Sequence, residues 1–516
     1  MGAGSRTSNS LKNIIYSFGN NILVLLLGFI SRSVFLYCLS VDYLGVQGLF
    51  GDILNMLSLA DLGFGTAMAY SMYKPLSDKD YDKLAGLTTF YKKVYRLIAL
   101  VVTFLGLALV PFLKYLVKLD NELPHLVLYY LLYLANSIAS YLVIYKTCIL
   151  SADQKEYVIT KYTSIFNVLR TCAMIVVLLI TRNYILYLCV QVLFTYISNF
   201  YISHLAEVQY PFIKKKVELS KNETRGIFSN IGSVFLYKIS GVLINATDNT
   251  LISVIVGTAA VGFYSNYTLV MGKVAAVINT VFYSLTASLG NLVVKEDEKK
   301  RFEIYKSMQS VSTILSSFSF ICVMCLIQDF IKVWLGNGYV LPYLVVIAMS
   351  INFYFSIILL PIWVFREATG LYRKTRYVML MTAILNILLS ILLGKMIGLA
   401  GIIFATSLSR LLTYFWYEPR LLFGNYFGRS SSVYFIGILK NIVVTVLAFA
   451  PGYYLSKLIE VNTWLGLLGE VFAVAFSALI ILIFAYRKSE GILIIRNKIN
   501  AELNKRVKKA GNNKEL

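Results

Sequence analysis

Long apolar stretches alternate with short polar or charged segments along almost the whole chain. Most stretches exceed the roughly 20 apolar residues with which an α-helix crosses the hydrocarbon core of a bilayer. The stretches, bounded by charges or by Pro and Gly clusters, cover residues 14–40, 44–73, 93–117, 124–150, 157–180, 184–208, 227–257, 258–293, 302–335, 340–365, 376–397, 398–424, 432–456 and 464–486. The pattern therefore predicts about fourteen transmembrane helices.

Composition agrees with this interpretation. Of the 516 residues, 58% are hydrophobic and 14% are charged, whereas a soluble domain is about 45–50% apolar and about 25% charged. A chain of this length and composition would expose too much apolar surface in water, so lipid must be its solvent. The fold class predicted is an all-α polytopic membrane protein.

The charge distribution predicts the orientation. The formal net charge is +22, and in a membrane protein such an excess collects in the cytoplasmic loops. With alternating helices and a cytoplasmic N-terminus, the outside segments keep only Lys114, Lys118, Arg182, Lys332, Lys395 and Lys457. This bias predicts that both termini are cytoplasmic, and it explains the basic residues without a nucleic-acid partner.

Several functional classes lack their sequence signals. There is no phosphate-binding loop of the G-x-x-x-x-G-K-[ST] type, and no outside connection is long enough to fold as an acceptor-handling domain. His125 and His204 have no neighbours at metal or catalytic-triad spacing, and all six cysteines lie in apolar stretches. We therefore expect no enzyme activity, no metal site and no cofactor.

Ionisable residues inside the membrane are costly, and each is a hypothesis of function. Five cations fall well inside the predicted helices, and several share a helix face with Asn or Thr side chains. These candidate substrate-binding residues are Arg32, Arg170, Lys238, Lys273 and Arg410. The polar faces comprise Asn21, Gly28 and Arg32; Thr163, Asn167 and Arg170; Lys238, Asn245 and Asn249; Asn266, Lys273 and Thr280; and Thr406, Arg410, Thr413 and Tyr417. Such faces would be unstable against lipid, so they predict a water-filled, cationic cavity that selects an anion.

Three acids, Asp52, Asp61 and Asp248, are the candidates for coupling transport to a Na⁺ or H⁺ gradient. Asp52 lies at a depth similar to that of Arg32, so a purely structural Arg32–Asp52 pair is an alternative to phosphate binding by Arg32. A short internal echo, 48–52 (GLFGD) and 262–266 (GFYSN), indicates two parallel repeats six helices apart.

Several motifs together resemble the bacterial oligosaccharide and polysaccharide flippases of the multidrug/oligosaccharidyl-lipid/polysaccharide exporter superfamily. The resemblance covers about residues 12–425. It is carried by 43–50 (YLGVQGLF), 57–63 (LSLADLG), 247–253 (TDNTLIS), 261–267 (VGFYSNY), 284–291 (SLTASLGN), 370–372 (GLY), Asn386 and 398–401 (GLAG).

The resemblance implies two six-helix lobes related by a pseudo-twofold axis, at 1–208 and 227–425. A cytoplasmic linker at 209–226 joins them, and two extra helices at 432–486 and a basic cytoplasmic tail at 487–516 follow. In the related lipid II flippases the two extra helices form a groove for the polyprenyl tail. Arg32 and Lys273 occupy positions like those of essential arginines in those relatives, with Lys replacing Arg at 273.

The function implied is translocation of polyprenyl-(di)phosphate-linked oligosaccharides from the inner to the outer face of the plasma membrane by alternating access. Expected partners are the lipid-linked glycan, membrane lipids, a coupling cation, and the polymerase and glycosyltransferases of the same pathway. Two alternatives stay open: a cation-coupled multidrug exporter of the same superfamily, and a membrane-embedded glycan polymerase.

Overall fold

The computed structural model describes residues 19, 23–58, 64–119, 123–220, 223–224, 236–237, 239–244, 246–497 and 500. Within these residues every regular element is helical, and each of the fourteen predicted stretches contains helix. The predicted all-α membrane fold class is confirmed.

The chain divides into two compact units between Ser265 and Asn266. The first unit contains α1 (Leu23–Cys38), α2 (Val41–Leu57), α3 (Phe64–Asp78), α4 (Tyr81–Ala108), α5 (Leu113–Leu116), α6 (Leu126–Tyr141), α7 (Ile144–Ala152), α8 (Glu156–Thr181), α9 (Tyr184–Gln209), α10 (239–244) and α11 (Asp248–Ile255). A 3₁₀ turn, Pro211–Lys214, follows α9. The unit ends within α12 (Thr258–Tyr283). The linker predicted at 209–226 stays a prediction.

Among the described residues, the second unit contains the rest of α12, a short helical segment at 490–497 and, between them, eight helices. These are α13 (Thr286–Lys295), α14 (Glu298–Leu335), α15 (Tyr343–Ile358), α16 (Leu360–Thr369), α17 (Tyr372–Leu412), α18 (Tyr414–Leu422), α19 (Ser432–Leu458) and α20 (Trp464–Tyr486). A single π-helical turn, Phe423–Phe427, extends α18.

Eight helices in the described residues are long and apolar enough to cross a bilayer, or ten when two bent pairs are each taken as one span. The bent pairs are α6 with α7, at 47°, and α15 with α16, at 41°. Two shorter apolar helices, Leu23–Cys38 and Ile239–Ile255, coincide with the first and seventh predicted stretches.

The boundary predicted between the eleventh and twelfth stretches is a kink inside α17. Ile397 (φ −132°, ψ 22°) and Gly398 (φ 60°, ψ −138°) leave the helical region there. A positive φ is strained for a residue with a Cβ, so glycine fits this position. The backbone reverses at Gly398, which separates the two predicted helices.

The predicted polar face of the twelfth stretch is not one continuous helix face, and this prediction is wrong. Helix α17 ends at Leu412, and Thr413 (φ −125°, ψ −104°) leaves the helical region before α18 begins. Tyr417 therefore belongs to a different helix from Thr406 and Arg410, because the 3.6-residue period restarts at the break.

Glycines let α2 and α12 approach closely within the first unit. A methyl group added at Gly45 would overlap the Thr258 carbonyl oxygen, and one added at Gly262 would overlap the Val41 carbonyl oxygen. Small residues at helix crossings allow such backbone contact in membranes. The echo segments 48–52 and 262–266 thus lie at or beside a single helix crossing.

Helix α14 is the long central element of the second unit, with 38 residues. Its apolar part packs with α19 and α20 around Ile321, Ala448 and Val474. A buried polar cluster holds these helices together: Asn441 donates to Tyr354 of α15 (2.8 Å), and its Oδ1 accepts from Ser317 of α14 (2.8 Å) and Tyr486 of α20 (2.7 Å).

The first turns of α14 contact the chain that follows α18 and the chain that follows α20. The Arg429 guanidinium lies 4.5 Å from the centre of the Phe302 ring, and Lys306 forms an ion pair with Glu490. Gly491 approaches the Lys306 carbonyl so closely that a methyl group there would overlap it.

Candidate functional site

Most of the predicted site residues lie in the described part of the chain. Arg32, Arg170, Lys273 and Arg410 are described, as are Asp52 and Asp248. The predicted residues Lys238 and Asp61 lie outside the described residues, and so do Asn21 and Asn245 of the predicted polar faces.

Arg32 links α1 to the start of α12. Its Nη1 donates to the Ser265 hydroxyl at 2.8 Å, and that hydroxyl donates in turn to the Gly262 carbonyl at 2.7 Å. The guanidinium also interacts electrostatically with the hydroxyls of Tyr133 and Tyr187. A half-buried arginine in the first helix thus donates to a hydroxyl of α12 and lies near tyrosines of α6 and α9.

Arg170 joins the same neighbourhood from α8. Its Nη1 lies 3.5 Å from the Thr195 hydroxyl of α9, and the Tyr187 hydroxyl interacts with both Arg170 and Arg32. We call Arg32, Arg170, Tyr187, Thr195 and Ser265 the first-unit cation cluster. The structure thus brings together two cations that lie 138 residues apart in sequence, by subtraction of their numbers.

Tyr187 is the member that the sequence analysis missed. Its side chain is 4% exposed, and its ring packs against those of Phe35 and Tyr184, with centroids 5.4 and 5.9 Å away. In the sequence it is one tyrosine among many in an apolar stretch, and the only local signal is a polar hydroxyl in a membrane-spanning helix. Its role depends on the long-range packing of α1 against α9.

Asp52 faces a different neighbour. Its carboxyl lies near the side-chain and backbone N–H groups of Asn249 in α11 and interacts with them electrostatically. Asn249 also lies beside Gly48, one turn earlier in α2. The two described side chains of Arg32 and Asp52 therefore have separate partners and form no ion pair with each other. The half-buried Asp248 begins α11, the helix that carries Asn249.

The second unit holds the other two described cations. Arg410 is 8% exposed and donates from Nη1 to the Asn352 amide oxygen of α15 at 2.9 Å, while its buried Nε has no hydrogen-bond acceptor among the described residues. Lys273 is half-buried in α12 and forms no hydrogen bond or ion pair with any described residue. Asn266, predicted to share a face with Lys273, is fully buried.

The sequence analysis also missed a buried ion pair. Arg366 of α16 donates from Nη1 to Oε1 of Glu418 in α18 at 2.7 Å, and the two side chains are 7% and 3% exposed. Arg366 follows an apolar stretch and has the sequence context of a loop cation, so nothing local indicates its burial. Because the two charges neutralise each other, we assign this pair a structural role.

Glu470 is a third missed residue. It is fully buried in α20, and both of its carboxylate oxygens lack a hydrogen-bond partner among the described residues. Its carboxyl interacts electrostatically with Asp329 of α14 and Lys457 of α19.

The part of the chain that the structure describes contains no group of side chains suited to binding a metal ion and no disulfide. No three His, Cys, Asp or Glu side chains come together there in a way that could hold a metal ion. The six cysteines, all described, are free thiols, including the Cys322–Cys325 pair of α14.

Taken with the fold, these features describe a multi-pass helical membrane protein with cations inside its helices. Similar solved structures are transporters. The lipid II flippase MurJ in an inward closed conformation superposes with a TM-score of 0.67 over 92% of this chain and 98% of its own, at 15% identity.

Two MATE transporters have a similar fold. An inward-facing MATE family transporter of the MOP superfamily gives a TM-score of 0.60 over 76% of this chain and 93% of its own, at 12% identity. A mutant form of the Vibrio cholerae MATE transporter VcmN gives 0.55 over 83% of this chain and 100% of its own, at 13% identity.

No family model matches the chain. No curated protein matches it either. The structural likeness, at identities of 12–15%, shows a shared fold.

Proposed function

We propose that this protein is a flippase of the MOP superfamily that moves polyprenyl-(di)phosphate-linked oligosaccharides from the inner to the outer face of the plasma membrane. Such transport would supply cell-surface polysaccharide biosynthesis and would work beside a polymerase and glycosyltransferases of the same pathway. The fold supports a transporter, and the charges inside it support an anionic cargo.

One observation carries the proposal. Arg170, Lys273 and Arg410 lie inside apolar helices, and their described hydrogen-bond partners are hydroxyl or amide groups, or none for Lys273. A cation in a low-dielectric site without a carboxylate is expensive unless an anion joins it. A phosphate-bearing substrate meets this need, whereas a cationic drug would increase the repulsion.

In this proposal the first-unit cation cluster holds the phosphate. The guanidinium forks of Arg32 and Arg170 match phosphate oxygens, and the Tyr187, Thr195 and Ser265 hydroxyls orient them. The glycan would stay in water and the polyprenyl tail in lipid while the protein alternates between inward-open and outward-open states. Asp52, Asp61 and Asp248 are the acids available for coupling to Na⁺ or H⁺.

The test reverses the charge of Lys273. At an effective dielectric constant of about 20, a unit-charge contact at 4 Å is worth about 4 kcal/mol, and reversal roughly doubles the change. We expect Lys273→Glu to abolish export, Lys273→Ala to impair it and Lys273→Arg to preserve most of it. The readout is accumulation of the lipid-linked repeat unit in cells that carry each variant at equal membrane abundance.

Lys74→Glu is the matched control, because Lys74 is exposed at the end of α3. It should export normally. Normal export by a well-expressed Lys273→Glu variant would remove Lys273 from the substrate site. If Arg170→Glu and Arg410→Glu also exported normally, the anionic-cargo proposal would fail.

The second candidate is a cation-coupled multidrug exporter. It is favoured by the MATE fold likeness, at a TM-score of 0.60. Efflux of cationic dyes from cells distinguishes the two functions. Dye efflux that depends on Asp52, together with normal glycan export after charge reversal of the interior cations, would support this second candidate.

A further inference from the structure

A second cationic site lies in the first unit, away from the first-unit cation cluster. It is a cavity of about 570 Å³ between residues 88–96 of α4, the start of α7, the end of α9 and the segment after α9. Its basic wall comes from Lys92, Lys93 and Arg96 of α4, from Lys146 of α7 and from three successive lysines, 214–216. Glu207 is the one carboxylate in its described lining.

The acids around this cavity neutralise only some of these cations. Glu207 pairs with Lys146 at 2.5 Å and lies 3.8 Å from Lys214. Lys93 pairs with Glu218 at 2.8 Å, and Lys215 with Asp82 at 3.4 Å.

Three cations of the wall therefore stay outside these ion pairs, and Glu207 attracts one of them, Lys92, without pairing with it. Lys92, Arg96 and Lys216 form no ion pair or hydrogen bond with any described residue. They also repel one another, since the ammonium group of Lys92 interacts unfavourably with Arg96, Lys146 and Lys216. The ring of Tyr145, 5.8 Å from the Lys92 nitrogen, is a weak compensation.

Membrane topology alone does not explain this arrangement. Basic residues that orient a membrane protein need only lie on the correct side, and repulsion would disperse them. Here four chain segments bring the basic residues together on one concave surface. A multivalent anion bound there would attract all of these residues and so offset their repulsion of one another. The hydroxyls of Thr88 and Thr89 on the same surface are further donors.

The depth of the cavity favours a lipid headgroup as the anion. Leu97, Leu100 and Phe104 of α4 are 63%, 68% and 71% exposed, as expected of side chains that face lipid tails. Lys93 and Arg96 precede them by no more than about three turns of helix. The cations thus lie at the level of the headgroups, where Lys and Arg bind anionic lipids.

We propose that this cavity, which we call the basic cleft, binds the phosphate group of an anionic lipid headgroup through Lys92, Arg96 and Lys216. The bound phosphate ties α4 to the segment after α9, because Lys216 belongs to that segment. The site is separate from the proposed transport function and does not depend on it.

The test uses the purified full-length protein in nanodiscs of phosphatidylcholine, with or without phosphatidylglycerol. Lipid retention by native mass spectrometry and the melting temperature are measured for the wild type and for the Lys92→Gln/Arg96→Gln/Lys216→Gln variant. Phosphatidylglycerol should raise the wild-type melting temperature. The triple variant should retain phosphatidylglycerol about a hundredfold less tightly, from the contribution of three cations near an anionic surface.

A charge-matched control is Lys74→Gln/Lys79→Gln/Lys161→Gln, whose three lysines are exposed and lie outside the basic cleft. It should retain phosphatidylglycerol as the wild type does. Lys216→Gln alone, in an exposed segment, tests the site if the triple variant does not fold, and should weaken retention severalfold.

A separate arm adds inorganic phosphate or pyrophosphate to protein in phosphatidylcholine nanodiscs. Stabilisation by pyrophosphate that the triple variant loses would support the phosphate site and identify a soluble anion as its source. The proposal would be overturned if the control variant lost as much phosphatidylglycerol retention as the triple variant. It would also be overturned if neither phosphatidylglycerol nor pyrophosphate changed the melting temperature of the wild type.

Discussion

At the scale of single residues, the buried charges fall into two kinds. Arg366 has its counter-charge in Glu418 at 2.7 Å, whereas Arg170 and Arg410 are held by neutral groups. A neutralised pair can be replaced by apolar residues, but an interior cation held by neutral groups needs a reason to be retained. By this criterion Arg366 is a structural charge, and Arg170 and Arg410 remain the candidates for substrate binding under the proposed function.

The Arg366–Glu418 pair gives a stability prediction. Glu418→Gln leaves the Arg366 guanidinium buried without its anion, so the free energy of unfolding should fall by about 3–5 kcal/mol. The double variant Arg366→Met/Glu418→Leu should recover most of the loss, because it removes both charges. Thermal unfolding of purified protein in one detergent measures both. A Glu418→Gln variant as stable as the wild type would show that the pair contributes little.

Glu223 gives a pH prediction in the segment after α9. The hydrogen bonds from Lys83 and Ser220 lower the pKa of Glu223 from 4.5 to about 2. A lowered pKa stabilises the folded contact above pH 4.5, and that stabilisation is lost as pH falls from there towards 2. Because the pair is solvent-exposed, the effect should be small and local.

Hydrogen exchange of residues 215–224, corrected for intrinsic rates, is the measurement. Protection should decline with falling pH in the wild type, and in Glu223→Gln it should be lower and depend less on pH across this range. The same pH dependence in both proteins would assign it to another carboxylate.

At the scale of elements, the close crossing of α2 and α12 depends on Gly45 and Gly262, whose lack of a side chain lets the two backbones touch. Gly45→Ala and Gly262→Ala each place a methyl group against a backbone carbonyl, so the helices must separate. Each change should cost roughly 1–3 kcal/mol of stability, as overpacking does.

Gly51→Ala is the control on the same helix, since nothing lies within 4 Å of its added methyl group. It should be neutral or slightly stabilising. Membrane abundance and melting temperature report the outcome, and equal values for Gly45→Ala and Gly51→Ala would contradict the close crossing.

The positions of the helices were largely predictable from the sequence. An apolar stretch of about 20 residues in lipid must satisfy its own backbone hydrogen bonds, and a helix does this within one segment. Even the break at Gly398 was located, since glycine marks a chain reversal there. The interruption at Thr413 could not be predicted, because no Pro or Gly marks it. The site was predictable only in part: the cost of a charge in lipid identifies Arg32 and Arg170, but their common neighbour Tyr187 follows from packing between distant helices.

At the scale of the whole molecule, the charge bias predicts that both termini are cytoplasmic. Reporter fusions after Lys216, after Arg376 and at the C-terminus should give cytoplasmic signals, and fusions at Asn183 and Asn337 should give outside signals. Paired alkaline phosphatase and fluorescent-protein fusions measure each site. A C-terminus on the outside would require an odd number of spans and would invalidate the predicted lobes.

The length of α14 has a mechanical consequence. Its 38 residues extend about 57 Å at 1.5 Å per residue, whereas the hydrocarbon core is about 30 Å thick. The part of α14 that exceeds this thickness lies outside the hydrocarbon core as rigid helix. The chain after α18 contacts this part through Arg429 on the Phe302 ring, and the chain after α20 contacts it through the Glu490–Lys306 ion pair. Because α14 is one continuous helix, a tilt of its membrane-spanning part would also move the segments that contact it at Phe302 and Lys306.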